Sequence, residues 1–311
     1  MRAFPRGDTH EALPRPLKTL EAPGFGHHFA RVNGIQVHYT LAGHGGEPLL
    51  LLHGWPFTWF TWARVIPTLA ATRTVIAPDL RGFGHSSRPQ TGYDLHTLAD
   101  DAAALLEHLG VSRADVVAHD LGTEVAFMLA LRHPGKVRRL VLSEAILAGL
   151  PGAESFLAQG KPWWFGFHEV PELAERVLVG NEGAYLDWFY VHHTYGQRGI
   201  RPEARDEYVA AFSGVEGLRG GFGPYRAFKG NAALIQEAAR ARLRVPTLAL
   251  GGNVVGEALY RQLVPIADDV AGHLIAECGH AIPEERPEEL LRHRPTSSAE
   301  ARSEEAGAES C

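Results

Sequence analysis

The residues with the clearest chemical potential form the segment Ala118-His119-Asp120-Leu121-Gly122, which stands between a strand-like apolar run and a run with helical spacing. Small residues at both ends of this segment permit a tight strand-to-helix turn, which holds the central side chain exposed at the start of the helix. The pattern therefore predicts that Asp120 is a nucleophile that forms a covalent ester. A helix-capping role for Asp120 is the alternative, because Asp is a common N-cap residue.

An ester intermediate requires a base that activates water, and histidine often supplies it. His280 follows the last expected strand, in Cys278-Gly279-His280, and is the candidate base. His53 is the rival, but it begins a His-Gly-Trp-Pro turn that we interpret as directing the Trp55 backbone N–H toward developing negative charge. The Leu121 N–H is the second expected donor of this oxyanion hole.

Histidine is the one unusual feature of the composition, with 17 residues of this type. His53 and His119 stand next to the expected oxyanion turn and the nucleophile, and both are assigned to substrate binding. The adjacent pairs His27-His28 and His192-His193 point apart on regular structure, and no acidic partner completes a metal set. We therefore expect no metal ion.

Short apolar runs alternate with helical patterns, and this alternation must position the chemical residues. Val32 to Leu41 is expected to form a hairpin that turns at Asn33-Gly34. The order of elements predicts an α/β fold with a mostly parallel, doubly wound sheet, in which ligands bind at the carboxyl ends of the strands. Continuous apolar runs suit buried parallel strands, and the expected ones are Leu49 to Leu52, Thr74 to Ala77, Asp115 to Ala118, Leu140 to Leu142, Thr247 to Leu250 and His273 to Ile275.

The alternation stops after Leu147, and the chain up to Arg242 is helical in pattern and rich in aromatic residues. We expect an inserted helical cap that closes an apolar pocket over the sheet edge. The expected organisation is an N-terminal arm at 1–26, an α/β core at 27–147 and 243–294, the cap at 148–242, and a disordered acidic tail at 295–311.

Composition excludes several function classes. The 311 residues carry 30 Lys and Arg against 36 Asp and Glu, for a net charge of −6, and the basic residues are scattered, so we expect no nucleic-acid partner. No apolar run approaches the ~20 residues of a membrane span, and the first residues do not resemble a secretory signal, so a cytoplasmic location is expected.

Cys278 and Cys311 cannot form a disulfide framework. No dinucleotide or phosphate-loop motif is present, so we expect no cofactor. The sequence leaves a homodimer open.

Over roughly Phe29 to Leu291, the chain resembles the α/β-hydrolase-fold epoxide hydrolases. The resemblance rests on the His-Gly-Trp-Pro turn, the segment from Asp79 to Ser86, the Asp-containing turn, the Cys-Gly-His end and the cap. Each motif alone also occurs in esterases and haloalkane dehalogenases, but Asp at position 120 favours epoxide hydrolase or dehalogenase. The resemblance implies that a small hydrophobic epoxide and water react to a vicinal diol through an Asp120 ester, which His280-activated water then hydrolyses.

The acid that orients His280 is implied by the same resemblance. Many members carry it after the strand that ends here in Gly251-Gly252, where this chain has Asn253. The segments Ser143-Glu144-Ala145 and Tyr225-Arg226-Ala227 resemble the subgroup of the cystic-fibrosis-channel inhibitory factor, in which the acid follows the preceding strand. This implies Glu144 as the charge-relay acid. Asp268 and Glu257 are the weaker alternatives.

Family members commonly use two cap side chains to donate hydrogen bonds to the epoxide oxygen. The context Gly-Pro-Tyr-Arg-Ala-Phe implies Tyr225 as one donor, and Trp164 stands where the subgroup has histidine. An indole N–H donates a hydrogen bond but does not give up its proton, so Tyr225 would protonate the oxygen alone. His168, His192 and His193 are expected to be ordinary cap residues, although each could fold into the pocket.

Two rival functions share this sequence. Haloalkane and haloacid dehalogenases use the same nucleophile, but they typically carry Trp after it, or Arg after it and again one turn later; this chain has Leu121 and Glu124. Trp164 keeps a dehalogenase open, because an indole N–H can hold a halide. A non-catalytic protein that binds a small ligand is the other rival, and the intact set of Asp120, His280 and Glu144 disfavours it.

Overall fold

The computed structural model describes residues 16–158 and 160–293. The described chain contains an eight-stranded sheet in the order β1-β2-β4-β3-β5-β6-β7-β8. Strand β2 runs antiparallel to β1 and β4, and the other neighbours are parallel. The strands are β1 Gly26–Val32, β2 Ile35–Ala42, β3 Leu49–Leu52, β4 Val75–Pro78, β5 Ala114–His119, β6 Val137–Ser143, β7 Thr247–Gly251 and β8 Val270–Leu274.

The central strands are buried along their whole length, as expected for parallel strands covered on both faces. The predicted hairpin is present, and Asn33 and Gly34 at its turn have positive φ angles of 46° and 77°. Strand β8 starts at Val270, three residues before the expected start at His273. It is a half-exposed edge strand, so its sequence lacks the continuous apolar run by which the buried strands are found.

Helices cover both faces of the sheet. Asp94 caps α2 by accepting a hydrogen bond from the Thr97 N–H at 3.0 Å, and Gly110 follows its end with a positive φ of 68°. The core helices are α1 Ile66–Ala70, α2 Leu95–His108, α3 Leu121–Arg132, α9 Ala258–Leu263, α10 Ile282–Glu285 and α11 Pro287–Arg292, together with a 3₁₀ turn at Trp59–Trp62.

A helical insertion separates β6 from β7. Its longest helix, α8, approaches the core so closely that a Cβ on Gly220 would lie 2.2 Å from the Gly82 carbonyl oxygen, which explains the glycine at this position. The inserted helices are α4 Trp163–Glu169, α5 Leu173–Leu178, α6 Glu182–His192, α7 Pro202–Phe212 and α8 Gly214–Ala238, with a 3₁₀ turn at Tyr195–Gln197.

The domain boundaries expected from sequence remain predictions. Residues 1–15 of the expected arm and the whole expected tail at 295–311 lie outside the described residues. Leu20 and Phe25, within the described part of the arm, pack against the hydrophobic core. Within the described ranges, no helix combines the length and the apolar character that crossing a bilayer requires.

Candidate active site

Asp120 lies at the sharp turn between β5 and α3. Its backbone has a positive φ of 52° with ψ of −127°, which is strained for a residue with a side chain. Two glycines permit the turn: a Cβ on Gly122 would lie 2.2 Å from the Leu52 carbonyl oxygen, and one on Gly54 would lie 2.2 Å from Asp120 Oδ1. The Asp120 side chain makes no N-cap hydrogen bond to the second or third residue of α3, so the helix-capping alternative does not describe it.

Two backbone N–H groups hold the Asp120 carboxylate. The Trp55 N–H donates to Oδ1 at 2.7 Å, and the Leu121 N–H also donates to the carboxylate. The structure thus brings both expected oxyanion donors to the nucleophile. Donors at this position stabilise negative charge on the same oxygen when the carboxylate becomes an ester and water adds to it.

His280 lies between two carboxylates. Its Nε2 is 3.4 Å from Asp120 Oδ2, and its Nδ1 is 3.2 Å from Glu144 Oε2. Glu144 is fully buried after β6, where its other oxygen accepts hydrogen bonds from the Gly252 and Val255 N–H groups. These backbone donors fix the Glu144 carboxylate against His280, so the geometry is that of an acid, a histidine and a nucleophile in a line.

The two alternative acids lie on the surface, away from His280. Glu257 pairs with Arg261 at 2.6 Å, and Asp268 pairs with Arg242. Both pairs are at least 45% exposed, so neither carboxylate is available to a half-buried histidine.

The charges of His280 and of its two carboxylate neighbours, Asp120 and Glu144, stabilise one another. Burial by itself would lower the pKa of His280, but hydrogen bonds and charges of Asp120 and Glu144 raise it to about 10. Burial would raise the pKa of Asp120, but the hydrogen bond and charge of His280 outweigh this and lower it. At neutral pH the site therefore holds an imidazolium between two carboxylates.

His53 and His119 do not contact the cavity, and their assignment to substrate binding is corrected. Both side chains are fully buried, and neither is among the residues that line the cavity. His53 Nε2 accepts a hydrogen bond from the Leu80 N–H at 3.0 Å, and burial lowers the pKa of this histidine. His119 Nδ1 lies 3.2 Å from Ser143 Oγ. Both histidines support the turns that carry the site.

An apolar cavity opens above Asp120, between the sheet edge and the cap. Among the described residues, none that lines it is Lys or Arg. Aromatic side chains dominate its wall, namely Trp55, Phe57, Phe156, Trp164, Phe165, Phe189, Tyr190, Tyr225 and Phe228. Such a wall favours an uncharged, hydrophobic ligand.

Tyr225 and Trp164 lie in the cap wall of this cavity. The Trp164 side chain hydrogen-bonds the Tyr225 hydroxyl, which tends to lower the pKa of the phenol. Burial, and after it the charge of Asp120, raise that pKa well above its usual value near 10. Tyr225 is therefore a neutral O–H donor that lies close enough to Asp120 for the carboxylate charge to change its pKa.

The cap histidines have different surroundings. His168 is fully buried with Nε2 2.6 Å from the Tyr185 hydroxyl, and His192 is exposed and bonded to the Trp188 carbonyl. His193 does line the cavity, and burial lowers its pKa to about 4, so it is neutral. Its backbone carbonyl accepts the His280 N–H at 2.6 Å, which ties the cap to the base.

Glu124 is a cavity residue that the sequence analysis did not assign to the site. It lies one turn beyond Asp120 on α3, and burial raises its pKa to about 8. Its place in the first turn of the helix that follows the nucleophile was the available signal, because that end of α3 lies at the cavity. In the described part of the chain, no cluster of three or more His, Cys, Asp and Glu side chains is arranged to hold a metal ion.

Residues 47–287 match the family model described as alpha/beta hydrolase fold. The chain belongs to the α/β hydrolase fold family. This hydrolase is 35% identical over 272 residues to the soluble epoxide hydrolase of Corynebacterium sp. (strain C12), which covers 85% of this chain and 94% of that relative. The fold class expected from sequence, and the resemblance to epoxide hydrolases of this fold, are confirmed.

Other relatives of this hydrolase show the breadth of the family. The crystal structure of Cfl2 wild-type from Burkholderia cenocepacia has a TM-score of 0.80 and 34% identity, and covers 94% of this chain and 98% of that chain. A fluoroacetate dehalogenase from Burkholderia sp is 32% identical over 220 residues, which are 66% of this chain and 69% of that relative.

Proposed function

We propose that this α/β hydrolase is an epoxide hydrolase that converts an uncharged hydrophobic epoxide and water to a vicinal diol. The observation that carries the proposal is the placement of the Asp120 carboxylate in the floor of an apolar cavity whose cap wall holds the Tyr225 hydroxyl. A carboxylate attacks the ring carbon while a phenol donates to the ring oxygen.

In the first half-reaction, Asp120 Oδ2 bonds to a ring carbon, because Oδ1 is held by the Trp55 N–H. The ring C–O bond breaks, and its electron pair goes to the oxygen, which takes the proton of Tyr225. The charge of Asp120 raises the pKa of Tyr225 in the resting protein, and this charge disappears as the ester forms. The phenol therefore becomes a better acid in the transition state than in the ground state.

Loss of the Asp120 charge also changes His280. One of the two anions that raise its pKa to about 10 is gone in the ester, so His280 gives its proton back to the Tyr225 phenolate through solvent. The neutral imidazole is then the base for the second half-reaction.

In the second half-reaction, His280 Nε2 takes a proton from water as its oxygen bonds to Asp120 Cγ. The Trp55 and Leu121 N–H groups hold the resulting oxyanion, and Glu144 stabilises the imidazolium. The ester C–O bond then breaks, and the diol leaves with the proton from His280. The Asp120 acid transfers its own proton to His280, which restores the starting ion pair.

A single turnover in ¹⁸O-labelled water tests this proposal. We expect diol formation from a terminal epoxide and incorporation of one ¹⁸O atom into the peptide that contains Asp120, measured by mass spectrometry. The matched variant Asp120→Asn should form no diol. Diol formation with ¹⁸O only in the product, and none in the peptide, would contradict the covalent route.

Dehalogenation remains the second candidate, because the Trp164 and Tyr225 donors together suit a halide ion. The same experiment with a haloalkane of equal length separates the two activities. Halide release without any diol from epoxides would favour a dehalogenase. A cavity wall without Lys or Arg, among the described residues, disfavours the haloacid substrates that such enzymes also take. Ligand binding without turnover of either substrate would favour a binding protein.

A further inference from the structure

A second carboxyl group lines the cavity beside the nucleophile. Glu124 lies in the first turn of α3, directly after the turn that carries Asp120, and both side chains line the same cavity. Asp120, His280 and Glu144 are bonded to one another, and the proposed reaction uses all three. Glu124 is an acid of the same wall that this reaction leaves without a role.

The surroundings of Glu124 keep its carboxyl group neutral. Burial raises its pKa, the Ala148 N–H opposes the rise, and the charge of Asp120 adds to it, for a value of about 8. The Ala148 N–H donates to Oε1 at 3.5 Å, and a protonated carboxyl group carries one O–H. A neutral carboxyl with this arrangement offers one O–H donor to a ligand.

We propose that Glu124 is a specificity-determining residue that selects epoxides carrying an uncharged oxygen acceptor, such as an ether or hydroxyl oxygen, close to the ring. The proposal rests on the proposed function, because the ring must lie at Asp120. Both side chains line one cavity and the charge of Asp120 acts on the Glu124 carboxyl, so an oxygen close to the attacked carbon comes within reach of Glu124. Epoxides that carry a carboxylate are disfavoured by the neighbouring Asp120 charge.

A matched pair of substrates tests this selection. Glycidyl propyl ether and 1,2-epoxyheptane have the same number of chain atoms and differ by one ether oxygen. The measured quantity is the ratio of their kcat/KM values in the wild-type protein, in Glu124→Gln and in Glu124→Met. We expect the wild type and the Gln variant, which keeps an N–H donor, to prefer the ether. The Met variant should lose about tenfold of this preference, the usual size of one hydrogen bond.

The pH dependence of the same ratio separates a donor from mere packing. The ionisable groups that line the cavity with Glu124 are Asp120 at the turn before α3, Tyr190 and His193 in the cap, Tyr225 on α8, and the His280–Glu144 pair. Their titration affects both substrates and cancels in the ratio. The wild-type preference should fall as pH rises through about 8, because the Glu124 donor is lost. The preference of Glu124→Gln should stay constant.

The outcomes are distinguishable. If the wild-type protein turns over both epoxides but Glu124→Met keeps the full preference, the role of Glu124 is refuted and the proposed function stands. Loss of the preference in folded Glu124→Gln as well would refute the donor role. If neither epoxide is turned over by the wild type, the proposed function fails and this inference fails with it. Thermal unfolding of each variant shows that it is folded.

Discussion

Replacement of Glu144 by glutamine tests how the buried acid acts on His280. The Glu144 carboxylate accepts hydrogen bonds at both ends: from the Gly252 N–H at Oε1, from His280 at Oε2, and from the Val255 N–H, which is 3.3 Å from each oxygen. An amide has a single acceptor oxygen. Because the Gly252 N–H donates to the Oε1 end alone, we expect the Gln oxygen to face it and the NH₂ group to face His280 Nδ1. His280 then carries its proton on Nε2 and cannot accept one from water.

The magnitude follows from the geometry. Unit charges separated by the 3.2 Å between His280 Nδ1 and Glu144 Oε2 attract by roughly 5 kcal/mol at an effective dielectric constant of about 20. The backbone donors already offset part of the Glu144 charge, so about 3–5 kcal/mol of imidazolium stabilisation should be lost, which slows ester hydrolysis roughly 100- to 5,000-fold. Asp120 keeps its charge and its two backbone donors, so formation of the ester should continue.

Intact-protein mass spectrometry after rapid mixing with an epoxide is the assay. Glu144→Gln should accumulate a species heavier than the free protein by the mass of one epoxide, and its diol production should fall to the rate of ester hydrolysis. Glu257→Gln is the matched control, because Glu257 also follows β7 but pairs with Arg261 on the surface. A Glu144→Gln protein that hydrolyses epoxide within tenfold of the wild-type rate, with no adduct, would refute the reasoning.

Three further predictions follow from the same contacts. Tyr225→Phe should slow ester formation at least ~100-fold and leave ester hydrolysis unchanged in pre-steady-state measurements, because only the first step needs its proton and His280 of the ester can lose its own proton to solvent. Equal slowing of both steps would contradict this role. Gly122→Ala should lower the free energy of unfolding by about 3 kcal/mol or more in denaturant titrations, because the new Cβ would lie 2.2 Å from the Leu52 carbonyl oxygen. Gly135→Ala is the control and should have little effect, because its new Cβ would have no neighbour within 4 Å. Because the pKa of His280 is raised, its ion pairs stabilise the fold fully below pH 6.5 and lose this contribution as the pH rises to about 10. The difference in melting temperature between the wild type and His280→Asn should therefore narrow over this pH range. A difference that widens would contradict the reasoning.

Much of the fold could be predicted from local patterns. Buried parallel strands such as β3 and β5 are continuous apolar runs, and the turn at Asn33-Gly34 requires residues that tolerate positive φ. The edge strand β8 was placed three residues late, because an edge strand is half exposed and its sequence has no such run. The hydrophobic pattern of a sequence identifies strands that are buried on both faces more reliably than it identifies the strand at the edge of a sheet.

Residue type and local spacing are enough to identify the available chemistry. They point to Asp120, between small residues at a strand-to-helix turn, and to His280, after the last strand. Only the tertiary structure decided which side chains reach the cavity. It buries His53 and His119, and it brings Glu144 to His280 across 136 positions of the chain. Protonation states were decided there too, since the neutral form of Glu124 depends on burial and on the nearby Asp120 charge. The physical reason is that turns and helices arise from neighbours in sequence, whereas burial and electrostatic environment arise from segments that folding brings together.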